Sequence, residues 1–120
     1  MRRSLLLVLA CGIATTVGGA PDHYNPKRLT GTYSIGTTSL TDPSPGDPTD
    51  ALLRLYLTGE AAKDLYNTLR VPSARDQCFD DGSLTKTLGE VMCTRHPKGA
   101  HECWIGIDLK KKALANAFVC

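Results

Sequence analysis

Residues 52–70 read LLRLYLTGEAAKDLYNTLR and carry the clearest local structure signal in the chain. Four of the first six residues are leucines, a composition typical of a mostly buried strand. Thr58 stands at the N-cap position before a helix that begins at Gly59. Apolar side chains then recur at helical spacing, and Pro72 prevents the helix from continuing. This unit predicts a buried strand followed by one main helix over about 59–70.

Weaker strand signals lie on both sides of this unit. Residues 32–40 are rich in small polar side chains, which indicates a weak edge strand. Residues 88–94 and 101–109 predict a hairpin joined by the turn 95–100, whereas residues 73–85 are turn-like. Alternation along the second hairpin strand places Cys103, Ile105 and Ile107 on one face and Trp104, Gly106 and Asp108 on the other.

These elements predict an α+β fold: a small antiparallel sheet of three to four strands, one main helix, and a disulfide-bonded C-terminal half. Residues 109–120 have two interpretations, either a helix or a lysine turn followed by a return strand. The predicted organisation is a signal peptide at 1–19, a lead-in at 20–50 and a compact disulfide-bonded α+β domain at 51–120. The lead-in is extended and contains the weak edge strand and a Pro/Asp-rich loop.

The amino terminus has the pattern of an export signal. Two arginines precede an apolar run over residues 4–14, and small residues then allow cleavage after Gly19. The run is shorter than the roughly 20 residues that a transmembrane helix needs, and no later stretch is long enough. An alternative treats Cys11 as a lipid anchor. Both interpretations place the domain in the periplasm or outside the cell.

The charge distribution excludes two classes of partner. Arg2 and Arg3 account for the whole formal net charge of +2, so the remainder of the chain is neutral. A neutral domain argues against nucleic acid or an anionic membrane as the main partner. Lys110, Lys111 and Lys112 form a charge run, either a solvated turn or a docking patch for an acidic partner.

The cysteines that follow the export signal are even in number, which in a short exported chain indicates disulfides. They are Cys78, Cys93, Cys103 and Cys120. Three connectivities are possible, and the pairing Cys78–Cys93 with Cys103–Cys120 is favoured because a return strand would bring Cys120 near Cys103. No Cys-x-x-Cys spacing is present, so neither zinc nor redox chemistry is predicted.

Signals for catalysis are sparse. His96 and His101 flank the predicted hairpin loop, and an enzyme would need them to converge with Asp80 or Asp81 in the fold. The chain has no Gly-x-Ser-x-Gly motif, phosphate-binding loop or dinucleotide fingerprint. We therefore predict no catalytic residue, cofactor or metal ligand, and a small secreted hydrolase or metal-assisted enzyme using these histidines remains the alternative.

Binding is the favoured function. An exported, disulfide-stapled α+β domain resembles small periplasmic inhibitors and immunity proteins in general form, which implies a rigid binding module acting on another protein or envelope macromolecule. The predicted contact surface is the loop residues Arg95, His96 and Lys98, with Trp104 as an aromatic anchor. The competing role for Trp104 is core packing against the helix. A purely structural envelope component is a further alternative.

Overall fold

A computed structural model describes residues 24–120, and in this part of the chain seven antiparallel strands form one sheet with a single short helix. The predicted signal peptide at 1–19 and the alternative anchor at Cys11 lie outside the described residues. In chain order the elements are β1 (Thr30–Gly36), β2 (Leu52–Thr58), α1 (Gly59–Thr68), β3 (Ala74–Arg75), β4 (Leu84–Leu88), β5 (Val91–Arg95), β6 (His101–Asp108) and β7 (Ala113–Ala115).

The predicted fold class is wrong in the extent of its sheet, which has seven strands rather than three to four. The turn-like interpretation of 73–85 missed β3 and the start of β4. Residues 88–94 are not one strand, because a two-residue turn at Gly89 and Glu90 separates β4 from β5. Gly89 has a φ of 57°, a conformation that glycine adopts readily. The return strand exists as β7, with the lysines in its preceding turn.

Strand β6 is the centre of the sheet. The strand order is β1-β2-β6-β5-β4-β3, and β7 pairs with β6 as well. One side of β6 pairs with β2, while the other pairs first with β5 and then, from Gly106, with β7. A Cβ at Gly106 would lie 2.3 Å from the carbonyl oxygen of Ala115, so only glycine permits this close approach. Because β6 pairs with β5 before it and with β7 after it, the β5–β6 turn and the β6–β7 turn lie at opposite ends of the sheet.

The helix divides the sheet into two different faces. We call the face that carries α1 the front face and the opposite one the back face. Strand register places Leu57, Cys103, Cys93 and Lys86 in one row across the front face of four strands. The buried core lies between this row and the helix. Its members are Leu57, Ala62, Tyr66, Leu69, Cys93 and Cys103.

The helix lies where the sequence predicted it, and it runs across the strands. It begins at Gly59, directly after β2, but the Thr58 side chain makes no capping hydrogen bond. At the other end, Lys86 Nζ of β4 donates to the carbonyl oxygens of Tyr66 and Leu69, at 3.0 and 3.2 Å. These contacts satisfy helix carbonyls that would otherwise lack partners. The helix therefore runs from the end of β2 over β6 and β5, and the Lys86 side chain reaches its last turn from β4.

The disulfides are Cys78–Cys120 and Cys93–Cys103, so the favoured pairing is wrong. Cys93 and Cys103 lie directly opposite each other on β5 and β6, facing the helix. The return strand β7 pairs with the far half of β6, so Cys120 does not reach Cys103. Two disulfides are typical of proteins from oxidising compartments. Among the described residues, no helix has the length and apolar character that crossing a bilayer requires.

Asp76 fastens the loop after β3 to the back face. It is only 7% exposed. Its carboxylate accepts hydrogen bonds from the hydroxyls of Thr85 and Thr94 and from the backbone N–H groups of Cys78 and Phe79. Burial alone would raise the pKa of Asp76. The hydrogen bonds, that of Thr85 first, together hold the pKa below its usual value.

We expect Asp76→Asn to destabilise the protein at neutral pH by roughly 2 kcal/mol, because an amide nitrogen cannot accept the hydroxyl hydrogen bonds. A carboxyl whose folded pKa is lowered stabilises above its unfolded pKa of about 3.9, and that stability is lost as the pH falls through the folded pKa. The variant should therefore lose less stability on acidification. Urea unfolding at pH 7 and pH 3 measures both effects, with exposed Asp42→Asn as the control. Equal pH dependence of the two variants would contradict this role.

Candidate functional site

A chain of polar side chains lies at the end of the sheet where β5 turns into β6. We call its members the His96 cluster: Asp81, Ser83, His96, Glu102 and Tyr56. Ser83 Oγ lies 2.6 Å from Asp81 Oδ1 and 2.9 Å from His96 Nδ1. His96 Nε2 lies 3.5 Å from Glu102 Oε2, which also accepts a 2.9 Å hydrogen bond from the Tyr56 hydroxyl. The cluster connects the loop after β3 to β2, through the β5–β6 turn and β6.

The hydrogen-bond directions in the cluster follow from the chemistry of its members. Ser83 has one hydroxyl hydrogen, which it donates to the Asp81 carboxylate, so His96 Nδ1 carries the proton that Ser83 Oγ accepts. The other ring nitrogen of His96 faces Glu102. Nδ1 is therefore hydrogen-bonded to Ser83, and Nε2 lies within ion-pair distance of Glu102. Ser83 itself is 0% exposed, so a substrate cannot reach its oxygen.

Two ionisable members have shifted pKa values that agree with these roles. The Ser83 hydroxyl, followed by the Ser83 backbone N–H, holds the pKa of Asp81 below its usual value, and the charge of His96 contributes. Asp81 is therefore an ionised acceptor at neutral pH. Burial, followed by the hydrogen bond to Glu102, raises the pKa of Tyr56. Tyr56 therefore stays protonated and donates.

The residues that an enzyme would use converge only in part. His96 Nδ1 lies 4.0 Å from Asp81 Oδ2, whereas Asp80 forms an exposed ion pair with Arg75 at 2.6 Å. His101 is on the front face, where it bonds to the Gly99 carbonyl oxygen at 2.9 Å. Both histidines line an open pocket of about 370 Å³. Within residues 24–120, no group of three or more His, Cys, Asp or Glu side chains is placed to hold a metal ion.

The structure does not bring the predicted binding residues onto one surface. Arg95 is on the front face, with its guanidinium 5.7 Å from the Tyr66 ring centroid. Lys98 is exposed in the β5–β6 turn, and His96 lies in the His96 cluster. Trp104 points to the back face, because it is one residue out of phase with Cys103 along β6. Arg95 and Trp104 therefore face opposite sides.

Trp104 is covered by the chain's own C-terminal segment. Its ring lies between Tyr56 and Phe118, with centroid distances of 4.4 and 5.4 Å. Its Nε1 is buried and has no hydrogen-bond partner among the described residues. The expected alternative, packing against the helix, is wrong because the helix is on the other face. The Tyr56 ring joins Trp104 to Glu102 and so to His96.

The front face also has an apolar surface on the part of the sheet beside the helix. Two rows of apolar side chains cross the strands there, and we call them together the open face. The first row is Ile35, Leu53, Ile107 and Leu114, and the second row is Tyr33, Leu55 and Ile105. The outermost members Tyr33, Ile35 and Leu114 are 72%, 55% and 54% exposed. No charged side chain belongs to either row.

Sequence analysis found the alternation of the open face and missed its exposure. The alternation predicted for residues 103–107 matches the two faces of β6, and Leu53, Leu55 and Leu57 alternate as expected for a strand. What no local pattern shows is that the core under the helix centres on the row at Leu57 and Cys103 and leaves Tyr33, Ile35 and Leu114 exposed. The sequence signal for this exposure is one of size: one ten-residue helix is too short to cover a face formed by several strands of seven or eight residues.

The comparisons with known proteins do not indicate a function, so the candidate site is identified from the geometry alone. No protein-family model, no curated protein and no solved structure matches this chain. Two features are therefore candidates for the site: the His96 cluster, whose groups bond mainly to one another, and the open face, whose apolar side chains lack cover. The open face is the feature that the described part of the chain leaves without a structural partner.

We expect the His96 cluster to stabilise the fold. Ser83→Ala removes the acceptor of the buried His96 Nδ1–H and a hydrogen bond to Asp81, so it should lower the free energy of unfolding by roughly 1–3 kcal/mol. The exposed Ser73→Ala should change it by less than about 0.5 kcal/mol. Urea denaturation measures both. If the two substitutions cost the same, the cluster does not stabilise the fold.

Proposed function

We propose that this protein is an exported binding module that contacts another protein through the open face. The observation that carries the proposal is the apolar row Ile35, Leu53, Ile107 and Leu114, which crosses four strands without a charge and is exposed at both ends. Contiguous exposed apolar patches on soluble proteins mark interaction sites. The partner surface would itself be apolar at the centre of the contact.

The rim of the open face adds a charge preference. The β6–β7 turn holds Lys110, Lys111 and Lys112 beside Leu114. The Asp108 carboxylate shapes this turn by accepting the backbone N–H groups of Lys110 and Lys111, at 3.0 and 2.8 Å. Lys110 pairs with Asp50 at 3.5 Å, whereas no described residue pairs with the side chains of Lys111 and Lys112. A partner with carboxylates at the edge of its apolar surface is complementary to this rim.

The scaffold supports binding because the open face is rigid. Its rows lie on paired strands next to the Cys93–Cys103 disulfide, so little conformational entropy is lost on contact. Both disulfides favour an oxidising compartment, the periplasm or the extracellular space. An inhibitor or immunity-type module is the form of this function that we favour, because such proteins present a preformed surface to one partner. Of the groups that the enzyme alternative requires, His96 and Asp81 bond within the His96 cluster, whereas His101 and Asp80 lie apart from it.

We expect Leu114→Glu to remove binding to the native partner. The substitution places a charge in the first row of the open face, and it should reduce capture at least tenfold, because removing a carboxylate from water into an apolar contact is costly. The measurement is quantitative capture by the oxidised protein from the native envelope and extracellular fraction. Leu114 is 54% exposed, so the substitution should leave the fold intact, which circular dichroism checks.

Two matched variants make this test specific. Val119→Glu adds the same charge at a position that is 52% exposed but outside the open face, and it should bind normally. Lys98→Glu alters the loop that the sequence suggested, and it should also bind normally. Equal loss in Leu114→Glu and Val119→Glu would contradict the open face. Loss of partner capture in Lys98→Glu alone would show that the binding site is the β5–β6 turn instead.

A further inference from the structure

Among the described residues, strand β1 has no strand partner along one whole side of its backbone. Within residues 24–120 it pairs with β2 alone, and it forms the end of the sheet. Six of its seven residues are exposed. The N–H and C=O groups that point away from β2 are therefore open to another strand, which is the ligand that such an edge fits.

This edge lacks the features that usually prevent pairing. The sequence of β1 is TGTYSIG, which contains neither a charge nor a proline. The other outer strands of the sheet are shorter: β3 has two residues, one of them Arg75, and β7 has three residues and follows Lys112. Short edge strands and charged side chains block edge-to-edge association, whereas a long uncharged edge permits it. β1 is thus the edge suited to association.

We infer that two copies of this protein pair antiparallel through β1, with the two-fold axis at Ser34. In this register Tyr33 of each copy lies opposite Ile35 of the other, which makes two aromatic–β-branched pairs on the front face. A two-fold axis at Tyr33 would instead place Ile35 opposite Gly31, which has no side chain. Since β1 is uncharged, the pairing brings no like charges together, and a strand edge is self-complementary in the antiparallel direction.

The small area that this contact buries indicates a weak dimer. With the two-fold axis at Ser34, residues 32–36 of the two copies lie opposite each other, and five residues of strand extend about 17 Å. Pairing of these five-residue segments, with side chains on both faces, buries on the order of 1,000 Å² or less in total, the size of weak and transient contacts. The dimer is therefore weak, with a dissociation constant on the order of micromolar.

The dimer would enlarge the open face. A two-fold axis perpendicular to the plane of the sheet keeps the front faces of both copies on the same side of the combined sheet. The rows at Ile35 and Tyr33 would then continue into those of the second copy. The inference uses the backbone edge of β1 and stands without the partner proposed above, because the purified protein alone should show it.

Cross-linking through single cysteines tests the register. Residues directly opposite in an antiparallel pair have Cα atoms about 4.5–5.5 Å apart, within the range of a disulfide. Ser34→Cys should therefore form a covalent dimer on mild oxidation. Thr32→Cys is the matched control on the same face of β1, because two copies of position 32 would lie four residues apart, roughly 13 Å along the strands. Non-reducing gels and mass spectrometry measure the product.

Sedimentation of the purified oxidised protein tests the contact itself. The wild type should pass from monomer to dimer as its concentration rises through the micromolar range, and Ser34→Lys, which places two ammonium groups at the axis, should stay monomeric. Leu114→Glu should dimerise normally, which separates this contact from partner binding. A wild type that is monomeric up to about 1 mM would overturn the inference. A dimer in which Thr32→Cys cross-links as well as Ser34→Cys would overturn it too.

Discussion

The direction of the helix determines which surfaces of this protein are covered. α1 starts at the end of β2, and Lys86 of β4 binds its last carbonyl groups, so the helix crosses the strands. Three strand spacings of about 4.8 Å separate β2 from β4, and ten helical residues span about 15 Å. The helix is therefore just long enough to cross this distance. It buries the row at Leu57 and Cys103, and Leu55 and Ile105 of the next row pack against that core. Tyr33, Ile35 and Leu114 at the outer ends of the rows stay exposed.

In the described part of the chain, the back face, unlike the open face, is covered by other segments of the same chain. Phe118 of the C-terminal segment stacks on Trp104, and the Cys78–Cys120 disulfide fastens that segment to the loop after β3. Asp76 binds the same loop to β4 and β5. The back face, on which Leu52, Tyr56 and Met92 accompany Trp104, is thus covered by two segments of chain and a disulfide. The open face, which is more apolar, has no comparable cover among residues 24–120, and this contrast is the reason for assigning it a partner.

Sequence reasoning predicted the elements that have strong local signals. The strand at 52–57, the helix start at Gly59 and the two faces of β6 follow from side-chain period and from Thr, Gly and Pro positions. It missed β4, because Leu84–Leu88 alternates with threonine and lysine rather than with apolar residues. It mispaired the cysteines and misplaced Trp104, because both depend on which face each strand presents to the helix. The exposure of the open face depends on the direction of α1, which no local pattern encodes.

Hydroxyl-radical footprinting is the most direct test of the claim that the open face is a contact surface. The oxidised protein would be labelled in purified form and again within the native envelope and extracellular fraction, and side-chain oxidation would be measured by mass spectrometry. The account predicts that oxidation of Leu53, Ile107 and Leu114 falls in the native fraction while that of Val119 does not change. Equal oxidation of the open face in both samples, or protection confined to the β5–β6 turn, would contradict it.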